Sequence, residues 1–180
     1  MIVRPCDGNE TAEAWQLAIS RKKGPVGLVL SRQCLPVLDR PNDKENRVAL
    51  GAYIISEAKD NAPEAIIIGT GSEVHIALEA QQALLKEGIN IRVVSMPCWE
   101  AFQEQSDEYK ELILPKSIKA RISIEAGITF GWSRWIGDNG VAIGIDTFGA
   151  SAPGADLAEE FGFTAPKVEA KIREHLGSLL

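Results

Sequence analysis

The chain has 180 residues, 45% hydrophobic and 24% charged, an ordinary balance for a globular protein with a real core. Nineteen basic against twenty-five acidic residues give a net charge of −6, which disfavours nucleic acid and anionic membranes as partners. No apolar run approaches the ~18 residues of a membrane-spanning helix, and Met1-Ile2-Val3-Arg4-Pro5 lacks the apolar stretch of a signal peptide, so a cytoplasmic location is expected.

Asp7-Gly8-Asn9 reads as a turn. Thr11 to Lys22 reads as a short helix, with Ala12, Trp15 and Ile19 at helical spacing and Asn9 or Thr11 as cap. Gly24-Pro25 breaks it and leads into Val26-Gly27-Leu28-Val29-Leu30, an apolar run of the kind buried in a parallel sheet. Ser31-Arg32-Gln33 then stands at the strand's C-terminal end, where open α/β sheets bind ligands. No second strand is expected before Val26, and one strand cannot make a sheet. The chain is therefore expected to begin inside a domain whose larger part lies elsewhere. Pro36 and the polar stretch Asp39 to Asn46 form the best linker candidate, so a boundary is placed near residues 40–47.

Beyond the linker, strand and helix alternate. Ala49–Ile55 is expected as a strand at the sheet edge, where an antiparallel placement is open to it. Ala65-Ile66-Ile67-Ile68-Gly69 is a buried strand, and Ser72 caps a helix that runs to about Glu87 and ends at Gly88. Strands follow at Ile89–Ser95, Arg121–Glu125 and Ala142–Ile145, with a short helix around Trp132–Ile136. Helices at Asp156–Phe161 and Pro166–Leu176 close the chain. This order defines an α/β fold: a three-layer sandwich around a mainly parallel, mixed sheet of about five strands within residues 47–180.

Few residues carry visible chemistry. Gly69-Thr70-Gly71-Ser72 opens a helix after a strand and could cradle a phosphate, but Val74 replaces the third glycine of a dinucleotide fingerprint and no Walker lysine follows. A tight turn with a serine cap explains the same residues. Glu125 ends a strand as a general base would, or as the cap of a neighbouring helix or the ion-pair partner of an arginine. Asp146 to Gly154 follows another strand at the same sheet edge. His75 and His175 lie within helices without metal-ligand spacing, and His175 near a helix C-terminus suits a positive imidazole. Cys6, Cys34 and Cys98 read as free thiols of a reducing compartment. Trp99, Trp132 and Trp135 read as core or interface anchors. Arg32 reads equally as a planar fork for phosphate or as half of a surface ion pair.

Taken in order, these pieces resemble the C-terminal part of the transketolase family. The matching strings are Val3-Arg4-Pro5-Cys6-Asp7-Gly8-Asn9-Glu10-Thr11, Val29-Leu30-Ser31-Arg32-Gln33, Gly69 to Val74, Val93-Val94-Ser95-Met96-Pro97, Ile124 to Gly127, Gly144 to Pro153 and Phe161 to Thr164. No single string is specific, but seven in order are.

The resemblance implies a thiamine diphosphate enzyme with a divalent cation (magnesium or calcium). Such an enzyme is a homodimer that moves a two-carbon ketol unit between sugar phosphates. It also implies that residues 1–42 are the tail of the pyrimidine-binding domain and 47–180 the C-terminal domain. Arg32 falls on the family arginine that contacts the substrate phosphate. No catalytic, cofactor-binding or metal-binding residue is carried over, so these residues alone are expected to be inactive, with self-association through an uncovered apolar patch. Sibling thiamine diphosphate enzymes, a stand-alone anion- or nucleotide-binding module and a structural dimerisation domain are the alternatives. Ser31-Arg32-Gln33 and Phe148 to Pro153 favour transketolase among them.

Overall fold

In the computed structural model, residues 1–40 and 45–179 are described. In chain order the elements are β1 (Ile2–Val3), α1 (Gly8–Ser20), β2 (Gly27–Leu28), β3 (Tyr53–Ser56), β4 (Ala65–Gly69), α2 (Glu73–Lys86), β5 (Ile91–Ser95), α3 (Trp99–Gln103), α4 (Asp107–Ile113), β6 (Arg121–Ile124), α5 (Ser133–Ile136), β7 (Val141–Ile143), α6 (Gly154–Phe161) and α7 (Ala165–Leu179).

Strands β3 to β7 form one sheet in the order β3-β5-β4-β6-β7. All neighbours are parallel except the edge strand β3, which runs antiparallel to β5 with a register shift between Ile54 and Ser56. The centre is β4, buried along its whole length. Side chains alternate across a strand, so its run of β-branched residues feeds two cores at once. Ala65 and Ile67 pack with Ala77 and Leu84 of α2 and with Val168 and Ile172 of α7. Ile66 and Ile68 pack with Phe102, Trp132 and Trp135 on the other face. The three central tryptophans are thus core: Trp99 stands edge-on to Trp132 with ring centroids 4.8 Å apart. This is the expected three-layer α/β sandwich with a five-stranded mixed sheet. None of the described helices is long and apolar enough to cross a membrane.

The first forty residues depart from expectation. A second strand does precede Val26: Ile2–Val3 pairs in parallel with Gly27–Leu28. It is two residues long, too short for any periodicity to reveal. The β2 ladder is correspondingly shorter than the apolar run Val26–Leu30. Helix α1 starts at Gly8, so Asp7-Gly8-Asn9 is its beginning and not a free turn. Asp7 is the cap, its carboxylate accepting from Glu10 N at 2.7 Å. The buried face is also different. Glu10 and Ala14 point inward, while Ala12 is exposed and Trp15 and Ile19 are 55% and 80% exposed. Val48–Leu50 forms a 3-10 turn, so the expected strand from Ala49 begins only at Tyr53. The heart of the linker, residues 41–44, lies outside the described residues.

Candidate functional site

Helix α2 leaves β4 toward one face, while α3 and α5 leave the neighbouring strands β5 and β6 toward the other. That divergence makes a topological switch point, the place where open α/β sheets open a ligand crevice. Here the chain fills it with its own backbone. Arg4 N donates to Pro97 O at 2.8 Å, and Gly71 N donates to Arg4 O at 3.1 Å.

The Arg4 side chain completes the plug. Its guanidinium pairs with Glu125 and lies 3.5 Å from Glu73. Each glutamate is bonded further: Glu73 accepts from Ala126 N at 3.0 Å and from the Ser72 hydroxyl at 2.6 Å, and Glu125 accepts from Trp132 Nε1 at 2.8 Å. Glu125 is therefore an ion-pair partner, one of the three roles open to it in the sequence, and not a free base. The glycine-rich turn is a packing device. Gly71 has φ +61°, and a Cβ on Gly69 would lie 2.9 Å from Val74 Cα. Ser72 spends its hydroxyl on Glu73 and makes no cap bond.

Arg32 is placed differently. It is exposed, with no ion pair or hydrogen bond to another described residue. It lines a cavity of about 650 Å³ with Ser31, Gln33, Ser72, His75 and Gly149. The sheet edge thus gathers part of all three loop motifs, with Arg32 standing opposite them. Phe148, at the head of the third, is fully exposed. An arginine whose planar fork is empty beside an open cavity suits a phosphate dianion.

Of the two histidines, His75 lines that cavity. The His75 Nε2 lies 2.9 Å from Cys6 O. His175 is buried, its Nε2 has no partner, and burial lowers its pKa from the usual 6.5. Burial thus disfavours the charged form, where the sequence suggests a helix-end cation.

A second polar cluster escaped the sequence. Glu10 is fully buried and accepts from Cys6 N at 2.7 Å, Tyr53 OH at 2.8 Å and Ser95 Oγ at 2.6 Å. Burial raises its pKa despite these bonds. Arg40 donates to Tyr53 OH at 3.1 Å and pairs with Glu13 at 3.1 Å. The cluster bolts α1 onto β3 and β5. A signal was present: Asp7-Gly8-Asn9-Glu10 has the spacing of a capping box, whose glutamate reaches back toward the start of the helix.

Fold and edge define a doubly wound α/β domain that holds a preceding segment in its own ligand crevice and presents a free arginine beside it. Comparison with known proteins shows the family of that fold. The profile of the transketolase-like TK C-terminal domain matches residues 51–164. Transketolase from Bacillus subtilis is 47% identical over 96% of this chain and 26% of its own length. The chloroplastic transketolase of Solanum tuberosum is 51% identical over 97% of the chain and 23% of its own length. The solved transketolase of Pichia stipitis in complex with sedoheptulose 7-phosphate superposes with a TM-score of 0.88, at 34% identity, over 98% of this chain and 25% of that one.

The chain belongs to the transketolase family and carries its C-terminal domain. It spans about a quarter of the length of the curated relatives it matches.

Proposed function

We propose that these residues serve a transketolase, as the tail of its pyrimidine-binding domain (residues 1–42) and its C-terminal domain (47–180). The complete enzyme would move a two-carbon ketol unit from a ketose phosphate to an aldose phosphate. Its setting would be a homodimer in a reducing compartment such as the cytoplasm, which suits free thiols including the exposed Cys34. Arg32 would bind the substrate phosphate. The observation that carries this reading is the empty guanidinium at the mouth of a cavity, on a chain whose family relative is solved with a sugar phosphate. Phosphate held far from the reacting carbons orients them and contributes binding energy to the chemical step.

Thiamine diphosphate and its divalent cation would supply the carbanion chemistry. The described residues do not fit that group. Arg4 already neutralises Glu73 and Glu125, the Gly71 amide is taken by the Arg4 carbonyl, and no cluster of three metal-ligating side chains occurs among the described residues. No step of the reaction is therefore assigned to them beyond holding phosphate. The apolar surface of Trp15, Ile19, Val29 and Leu30 supports a larger domain around residues 1–42.

The test uses the complete enzyme, loaded with thiamine diphosphate and magnesium. Arg32→Ala should raise KM for xylulose 5-phosphate about 30-fold and leave KM for unphosphorylated xylulose unchanged. Equal effects on both sugars would refute the assignment. The 180 residues alone should show no ketol transfer.

A further inference from the structure

Arg32 sits on a stretch tied at both ends and free in the middle. At the near end Val29 N donates to Val3 O at 2.8 Å. At the far end Leu38 is held twice: its N–H donates to Asp7 Oδ2 at 3.0 Å, and its carbonyl accepts from Asn9 Nδ2 at 3.2 Å. Between these ties residues 31–37 form no hydrogen bond with another described residue. Packing holds them at one point, where Val37 lies against Gly8. A cavity of about 210 Å³ separates Ser31, Gln33 and Leu35 from Pro5, Asp7, Gly8 and Thr11.

Asp7 is a buried charge that touches the loop. Its two oxygens divide the work. Oδ1 caps α1 at Glu10 N and lies 3.9 Å from the Arg40 guanidinium, and Oδ2 reaches the loop at Leu38 N. The loop's far end is thereby registered to α1, which the Glu10 cluster fixes to the sheet. A loop closed at a defined point samples fewer positions, and a charged fork must be aimed to bind a phosphate well.

We propose that Asp7 is a positioning residue for substrate phosphate: its bond to Leu38 N sets where Arg32 points. This rests on Arg32 being the phosphate ligand. The substitution to make is Asp7→Asn in the complete, cofactor-loaded enzyme. Asparagine keeps an oxygen for the helix cap but turns an N–H₂ toward the Leu38 N–H, so the loop tie is lost together with the charge that faces Arg40 at 3.9 Å. KM for xylulose 5-phosphate should rise about fivefold, with KM for xylulose unmoved. A purely structural role would raise both or neither, and either result overturns the proposal.

Arg32→Ala measured beside it separates the two ideas. If that variant does not discriminate between the sugars, the phosphate reading fails. If it does and Asp7→Asn does not, only the positioning role fails. Should Asp7→Asn not fold, Asn9→Ala takes its place, since it removes only the exposed bond to Leu38 O. It should give a rise of about twofold for the phosphorylated sugar alone, and no change would overturn the proposal.

Discussion

Two arginines face the same sheet edge and do opposite things. Arg4 has its guanidinium between Glu73 and Glu125 and its backbone bonded to Pro97 and Gly71, so it is part of the crevice wall. Arg32 has no partner among the described residues and looks into an open cavity. Residue type, charge and the neighbourhood of a strand end are shared. What differs is whether the fork is already satisfied, and that decides whether an arginine is structure or is available to a ligand.

The comparison breaks most decisively at Arg4. Arg4→Ala leaves two largely buried carboxylates facing each other and should cost about 3 kcal/mol of stability, read from urea unfolding, without changing the preference for phosphorylated sugars. Arg32→Ala should do the reverse: the unfolding free energy read from urea changes by less than about 0.5 kcal/mol while phosphate discrimination falls by about 2 kcal/mol. Shared effects would mean that the two arginines belong to one site.

The buried ionisable groups sharpen the same contrast between satisfied and unsatisfied chemistry. Burial raises the Glu10 pKa above 4.5, so the folded chain holds that proton more tightly than the unfolded chain. Its contribution to stability therefore falls as pH climbs from about 4.5 through the folded pKa, then levels. Glu10→Gln should cost about 1 kcal/mol near pH 4.5, through the lost bond to Cys6 N, and the gap should close toward neutrality. A gap that widens with pH would contradict a raised pKa.

His175 has the opposite sign. Its folded pKa lies below 6.5, so its contribution is present above that pH and is lost as pH falls through the folded value. His175→Leu should flatten the stability curve below about pH 6.5. An unchanged acid slope would mean that the imidazole is solvated.

Legibility followed burial. The strands β4, β5 and β6 are rich in isoleucine and valine and are buried almost throughout, and they lie within two residues of where the sequence puts them. Helix α1 was misread because its strongest apolar residues, Trp15 and Ile19, face outward, and a charged residue, Glu10, faces in. Periodicity reports an apolar stripe and says nothing of what covers it. Strand β1 needs a partner 25 residues away to exist at all, so no local signal marks it. Among site residues, Ser31-Arg32-Gln33 was visible as a string, whereas Arg4 was only part of a longer one. Its two glutamate partners come from 69 and 121 residues later, a convergence that only the sheet topology creates.

The plugged crevice changes what counts as a unit of this chain. A cut at the polar stretch around residues 40–47 looks natural, because composition shifts there. It would strip the sheet of the peptide that fills its open edge and leave Glu73 and Glu125 facing bare water, with Tyr53 and Ser95 deprived of Glu10. Residues 1–10 are stitched to the sheet as firmly as a strand of it. Anyone shuffling, splitting or transplanting this domain should carry that decapeptide along, because the seam of cohesion runs upstream of the seam of sequence.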